Sequence, residues 1–342
     1  MIDQGLLKSR MVLLRLPNLS YPQRKALYKT LGAGKEIDHE RLRKAVSCES
    51  MLDAAFRQAE ADIRALERGR IRTLWLGEDG YPPLLKEISD PPLALFVRGT
   101  LPDASLDPVA IVGTRQPSAL GIAEARRFGR ECAERGLPCV SGLALGIDAW
   151  AHRGYLEAAG SALAVLGHGL DMVYPPSNRS LARRILETGG ALVSEYLPGI
   201  PAWKWHFPAR NRIISGLSRG VIIVDAPQRS GSLITADYAL DQGRDVWVSG
   251  AMVDSMSSPD SPRGAFVRSE GVLHLFDQGA RALSSIDEVL VDWGMTPPEL
   301  TSREPVAALG EAGTASLAGL ELARALSADL CGGNQDSKIG HS

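Results

Sequence analysis

VAIVGTRQPSALGIAEARRFGRECAERGLPCVSGLALGIDAWAH, residues 109–152, contains two short apolar runs, Val109–Val112 and Cys139–Ser141, each followed by a small-residue turn and a helical stretch. The rhythm continues through Ala162–Leu166, Ala191–Ser194, Val221–Val224 and Val246–Ser249. Short strands that alternate with helices belong to a parallel sheet covered on both faces. The segment from Val109 to Trp293 is therefore expected to be an α/β domain with a doubly wound, mostly parallel sheet.

Upstream of this core, Ile71 to Gly99 carries short apolar runs broken by Pro82-Pro83 and Pro91-Pro92, which read as extended edge structure rather than helix. Residues 1–72 are rich in Leu, Ala, Arg, Lys and Glu, with helical spacing at Leu42, Val46, Met51, Ala55, Ile63 and Leu66, and read as a small all-helical domain. Within it, Leu16-Pro-Asn-Leu-Ser-Tyr-Pro followed by Arg24, Lys25 and Leu31-Gly32 has the outline of a helix-hairpin-helix. The hairpin glycines are missing, so contact with DNA and simple helix packing are both open readings. Beyond Trp293 the composition turns to Ala, Gly, Ser and Pro without Phe, Tyr or Trp, and only Leu317 to Leu326 has a helical pattern. The expected division is a helical domain at 1–72, the sheet domain at 73–294 and a flexible tail at 295–342.

The composition bounds the function. The 342 residues, 44% hydrophobic and 23% charged, are those of an ordinary globular chain of about two domains. Lys plus Arg number 38 against 40 Asp plus Glu, a net charge of -2, so a nucleic-acid partner requires a local basic patch. No apolar run approaches the ~18 to 20 residues that span a bilayer, and the charges at Asp3, Lys8, Arg10 and Arg15 are unlike a secretory leader, so a cytoplasmic location is expected. Cys48, Cys132, Cys139 and Cys331 form no C-x-x-C pair and have no His at ligand spacing; thiols are expected and no metal or cofactor is.

In an open parallel sheet the ligand lies beyond the carboxyl ends of the strands, so the residues just after each run carry the chemistry. Gly113-Thr114-Arg115 and then Gly121 follow the first run, where a dinucleotide fold needs three glycines, and no acidic residue ends the second strand. The turn is expected to point amides, a helix N-terminus and Arg115 outward, which suits a phosphate. Ser141-Gly142-Leu-Ala-Leu-Gly146-Ile-Asp148 follows the second run, with Asp148 placed to cap the next helix and His152 one turn on. As a metal pair the two lack a third ligand, and V-S-G is no G-x-S-x-G nucleophile turn.

Trp203-Lys204-Trp205-His206-Phe207-Pro208-Ala209-Arg210-Asn211-Arg212 interleaves three aromatics with three cations, a pattern of stacking surfaces beside phosphate-seeking charge. At least one tryptophan is expected in the core, and pairing of the arginines with Glu195 or Asp225 is the competing reading. Ser230-Gly231-Ser232-Leu-Ile-Thr235 after Asp225 is a second turn whose amides and hydroxyls should face the strand ends. No carboxylate occurs between Ala226 and Ala236, where Rossmann-like nucleotide hydrolases with a P-G-G-x-G-T loop place a glutamate, and Gly34-Lys35 is followed by Glu36 and so is no Walker A motif.

Six segments in order, VGTR, SGLALGIDAWAH, LGHGLDMVYPPSN, SEYLPG, HFPARNRIISGLS and APQRSGSLITADYAL, resemble the DNA-processing protein A (DprA/Smf) family from about Trp75 to Gly250. The resemblance implies an extended Rossmann-like fold, a cytosolic bacterial protein that binds single-stranded DNA, a homodimer, and help in loading a RecA-type recombinase during natural transformation, with no catalytic residues. By matching motif it implies a phosphate-binding groove lined by Gly113, Thr114, Arg115, Ser141, Gly142, Lys204, Arg210, Asn211, Arg212, Gly231 and Ser232. The sequence departs from the family at Val248-Ser249-Gly250, where the family has V-P-G, and across Arg263 to Val272; the tail is too short and too poor in apolar residues for the winged-helix domain that ends many relatives. The rival reading is a Rossmann-like nucleotide enzyme, a phosphoribohydrolase, or a small-nucleotide sensor.

Overall fold

The computed structural model describes residues 4–16, 19–30, 49–257 and 269–296. The tail beyond 296, the spacing at Leu42 and Val46, Leu31-Gly32, Gly34-Lys35, Cys48 and Cys331 lie outside the described residues, as does most of the departure at 263–272.

Three helices come first, α1 (Gln4–Arg15), α2 (Tyr21–Thr30) and α3 (Glu49–Arg68). The sheet follows, interleaved with helices: β1 (Arg72–Trp75), α4 (Pro83–Lys86), β2 (Ala94–Gly99), β3 (Val109–Val112), α5 (Ala119–Glu134), β4 (Cys139–Ser141), α6 (Ile147–Glu157), β5 (Leu163–Leu166), α7 (Arg179–Glu187) and β6 (Ala191–Ser194). The second half adds α8 (His206–Gly216), β7 (Gly220–Ile223), α9 (Gly231–Asp241), β8 (Asp245–Ser249), α10 (Gly250–Ser257), α11 (Glu270–Asp277), β9 (Arg281–Leu283) and α12 (Ile286–Asp292). The nine strands form one sheet in the order β1-β2-β6-β5-β4-β3-β7-β8-β9. From β6 to β9 every pairing is parallel, and β1 and β2 add an antiparallel margin beyond β6. The segment of paired prolines thus supplies two strands, as the sequence suggests, and also one helical turn, α4, which begins at Pro83 because proline already holds a helical φ and its missing N–H is not needed there.

The all-apolar strands are buried on both faces. Val109 and Ile111 of β3 point into one apolar layer with α1, α3, α5, α6, α7 and α12, while Ala110 and Val112 point into the other with α4, α8, α9, α10 and α11. Met11, Leu13, Leu16, Leu52, Ala55 and Leu66 of the first three helices belong to the same apolar layer as the sheet. Met51, expected on the inner stripe, is exposed at the start of α3. Arg10 joins the two parts: its guanidinium lies over the rings of Tyr28 and Trp75 and pairs with Glu78 at 2.6 Å.

The described residues of the helix-hairpin-helix outline pack on the sheet domain, an arrangement that does not choose between the two readings. Arg24 directs its guanidinium to the carbonyls of Leu13, Leu14 and Leu16, the Tyr21 hydroxyl donates to Pro91 O at 2.5 Å, and that of Tyr28 donates to Leu76 O.

β3 is where the strand order reverses, with β4, β5 and β6 laid to one side and β7, β8 and β9 to the other. At such a switch point the turns leaving the two central strands diverge to opposite faces and open a crevice beyond their carboxyl ends.

Candidate nucleic-acid interface

The crevice at the ends of β3 and β7 is a cavity of about 730 Å³. Three turns interlock to form its floor. A Cβ on Gly113 would meet Ile147 and the carbonyl of Asp225, and one on Gly146, whose φ of +77° already favours glycine, would overlap the Thr114 carbonyl. Only bare backbone lets the turn after β4 lie against the turn after β3.

The turn after β4 is strained and held. Leu143 is buried with φ at +55°, a conformation costly for a branched side chain. Asn178 donates from its amide to the carbonyls of Leu143 and Ala144, at 2.9 and 3.2 Å. From the other side Asp148 Oδ2 accepts from the N–H groups of Gly142 and Ala144, at 3.1 and 3.4 Å. Asp148 therefore ties down the turn before α6 instead of capping the helix, whose N-cap is Gly146 without a side-chain bond. Burial pushes the Asp148 carboxyl above its ordinary value, against the pull of the Arg210 guanidinium.

That guanidinium comes from α8 and passes beneath the cavity. Arg210 is buried, donates from Nη1 to Val165 O at 2.5 Å and from Nε to the Asn211 side chain, and stands 3.9 Å from Asp148. A Cβ on Gly142 would overlap this guanidinium, so the glycine after β4 is required by the arginine. Asn211 in turn donates to the Gly231 carbonyl, linking α8 to the turn at the head of α9.

The residues singled out from the sequence separate into two groups. Gly113, Thr114, Arg115, Lys204, Arg210, Asn211, Gly231 and Ser232 line the cavity together. Gly142 lies behind Arg210, and Ser141 is fully buried with its hydroxyl donating to Ile111 O at 2.7 Å. Arg212 does not reach the cavity. It is buried on the other side of α8, donating to both oxygens of Glu195, at 2.9 and 2.7 Å, and to Asp90 at 2.8 Å. On a helix, residues two apart point in different directions, so two arginines cannot share one face at this spacing.

Arg115 and Lys204 are exposed, and among the described residues neither has a carboxylate within 4 Å. The Arg115 guanidinium lies 5.0 Å over the ring of Phe207, which is tilted against Tyr174 at 5.7 Å. Tyr174 and Phe207 thus belong to the cavity wall; the aromatic of V-Y-P-P is plain in the sequence, but only the fold brings it to Arg115.

Two further expectations are corrected. The N-terminus of α5 is turned inward: Ser118 donates its N–H and hydroxyl to Asp225 Oδ2, at 2.9 and 3.1 Å, and Thr114 donates its N–H to Asp225 O. A carboxylate of the chain itself takes the place foreseen for a phosphate, because Asp225 at the end of β7 is the nearest anion to that helix end. The head of α9 is open by contrast, with nothing near a Cβ placed on Gly231 and with Ser230 as N-cap. Trp203 and Trp205, at least one of which is expected in the core from the sequence, both lie outside it. Trp203 is 45% and Trp205 65% exposed, stacked on each other at 5.3 Å.

His152 lies fully buried behind this site, and neither ring nitrogen has a hydrogen-bond partner. Burial, reinforced by Arg210, lowers its pKa from 6.5 to about 3. The folded state therefore resists a proton that the unfolded chain takes up, and stability is lost as pH falls from about 6.5 toward 3, by roughly 1.4 kcal/mol per pH unit at most. Urea unfolding at pH 7, 6 and 5 should show this decline in the wild type and a flatter dependence in His152→Leu, which should lose little at pH 7 because no hydrogen bond is broken. Parallel declines in the two proteins would exclude the histidine as the cause.

Comparison with known proteins fits this architecture. The family model described as DNA recombination-mediator protein A matches residues 72–294. Protein Smf of Escherichia coli is 41% identical over 231 residues, 68% of this chain and 59% of that protein. DNA processing protein DprA of Streptococcus pneumoniae is 41% identical over 217 residues, 63% of this chain and 72% of that one. The chain spans 59% of the Escherichia coli protein and 52% of Protein Smf of Synechocystis, so it matches only part of those relatives. The crystal structure of the Streptococcus pneumoniae protein superposes with a TM-score of 0.67 at 33% identity, covering 82% of this chain and 95% of that one. DNA processing protein A of Helicobacter pylori, solved for insight into its single-stranded DNA binding mode, superposes with a TM-score of 0.53 at 28% identity, covering 66% and 95%. Since the matched stretch runs from β1 to the end of α12 and contains every residue that lines the cavity, this chain belongs to the DNA recombination-mediator protein A family.

Proposed function

We propose that this chain binds single-stranded DNA in the cavity at the switch point, with Arg115 and Lys204 on phosphates and the open head of α9 at Gly231 beside them, where Ser230 caps the helix through Ser232. The observation that carries the reading is the pair of exposed cations, without carboxylate partners among the described residues, set around a cavity whose one acidic lining residue among them, Asp148, is already engaged by Arg210 and two backbone amides. The surplus is positive and unneutralised, and aromatic rings flank it, which is how sequence-tolerant single-strand sites are built. The Helicobacter pylori relative, with its single-stranded DNA binding mode, supports the same assignment. Asn211 and Arg210 act here as supports of the cavity, and Arg212, Ser141 and Gly142 as supports of α8 and the β4 turn.

Protection of the bound strand, delivery to a RecA-type recombinase, a homodimer and a cytoplasmic location rest on family resemblance and complete the reading; no helix among the described residues is long and apolar enough to cross a membrane. The reading is one of binding without turnover. The Rossmann-like hydrolases with a P-G-G-x-G-T loop place a glutamate after it, whereas no carboxylate occurs between Ala226 and Ala236 here and Asp148 of the cavity is buried and engaged. Filter binding with single- and double-stranded oligonucleotides of equal length tests the proposal: preference for the single strand is expected, and equal affinity for both, or release of ribose from nucleotides by the purified protein, defeats it.

A further inference from the structure

A second cavity, of about 600 Å³, lies on the other side of the Trp203–Trp205 turn, between α1, α2 and α3 and the ends of β2 and β6. Its wall is aromatic. Trp203 is part of it, His206 stacks on Tyr196 at 3.9 Å, and Trp203 meets His206 at 5.2 Å.

The charged side chains around this cavity already have their hydrogen-bonding groups engaged. Arg15 is paired with Asp62 through two bonds of 2.6 and 2.7 Å, Arg24 spends its two terminal nitrogens on four backbone carbonyls, and Glu195 is held by Arg212. Among the described residues that line it, no arginine here keeps its terminal nitrogens free for a phosphate, in contrast with Arg115 and Lys204 of the first cavity. A flat, neutral, polar-edged group fits: it can stack on the rings and meet the exposed amide of Gln58 at the rim.

The two cavities are joined by adjacent residues. Lys204 lines the first, and Trp203, its neighbour in the chain, lines the second. Trp205 lines neither and covers Trp203 from outside. A strand whose phosphates are held at Arg115 and Lys204 therefore passes the mouth of the aromatic cavity as it leaves.

We propose that this second cavity takes up an unstacked base of the same single strand, so that the Trp203–Trp205 turn separates a phosphate compartment from a base compartment. The proposal rests on the single-strand reading and deepens it: the protein holds the backbone by charge in one place and a base by stacking in another. The interface between the three leading helices and the sheet then becomes part of the DNA site.

The test uses the full chain, a thymidine 12-mer and a 12-mer of the same backbone with every base removed. Wild type is expected to bind the thymidine strand about 5- to 100-fold more tightly than the abasic one, the range for one or more stacked bases. Trp203→Ala should abolish most of that preference while leaving the salt dependence unchanged, and Trp203→Phe should restore it. Trp205→Ala should have the smaller effect, since its ring lies outside the cavity. Thermal unfolding checks that each variant is folded, which the exposure of both rings favours. Retention of the preference in Trp203→Ala overturns the base compartment and leaves the single-strand reading standing. Equal losses from the two alanine variants also overturn it, because they assign the base to an outer ledge. Failure of wild type to bind either 12-mer removes both readings at once.

Discussion

The Arg115→Ala, Lys204→Ala double variant is expected to fold normally and to lose roughly 100-fold or more in single-strand affinity, since hydrogen bonds to a charged group contribute about 1.5 to 3 kcal/mol each. Both side chains are exposed and, among the described residues, without a carboxylate partner, so their removal leaves no buried group unsatisfied. Each phosphate left without its cation should also flatten the plot of log affinity against log salt by about 0.7, the single-strand value, giving roughly 1.4 for the pair. The loss should be nearly independent of base sequence, because phosphates carry no sequence information. Arg212→Ala is the control. Its guanidinium is enclosed by Glu195 and Asp90, so its removal should destabilise the fold and leave the salt slope of the surviving folded protein unchanged. Fluorescence anisotropy at four salt concentrations measures both quantities, and a double variant with wild-type slope would place the phosphates elsewhere.

Asp148→Ala should give the largest loss of stability of any single substitution at the site. It leaves the buried Arg210 guanidinium without its carboxylate and the Gly142 and Ala144 N–H groups without their acceptor. Breaking a buried pair from one side costs about 3 to 5 kcal/mol, or a fall in melting temperature of roughly 10 °C for a domain of this size. Gly142→Ala should act on the same pair from the opposite direction, because its Cβ overlaps the Arg210 guanidinium and must push it off the Val165 carbonyl. Gly231→Ala is the harmless counterpart, since nothing stands near the added methyl. Differential scanning calorimetry of the three variants decides the matter: an Asp148→Ala protein melting with the wild type would show that the carboxylate does not hold the turn.

Much of this architecture is legible in one dimension. Runs such as Val109–Val112 and Leu163–Leu166 are apolar at every position because both faces of a parallel strand are covered, and that property is local to the run. Which turns hold the chemistry also follows from chain order, since ligands meet the carboxyl ends of the strands. The alternation of Trp203, Lys204, Trp205 and Phe207 marks the densest segment, but not which of its members face solvent.

Helical spacing sets Arg210 and Arg212 on different faces, but which partner each face meets is settled by tertiary contacts. Arg210 and Arg212 are chemically identical and two residues apart; one underlies the cavity beside Asp148, and the other is bound by Glu195 and Asp90, the latter 122 residues away in the chain. Asp225 closing the α5 terminus and Tyr174 meeting Phe207 are likewise pairings between distant segments, whereas Asp148 ties a turn only four to six residues before it. A periodic pattern reports the face a residue shares with its near neighbours, whereas the partner of a charge depends on which distant segment the strand order brings to it. The sequence of this chain therefore determined its layers and the crevice at the strand ends, and the fold decided which of its cations stand without a carboxylate partner among the described residues.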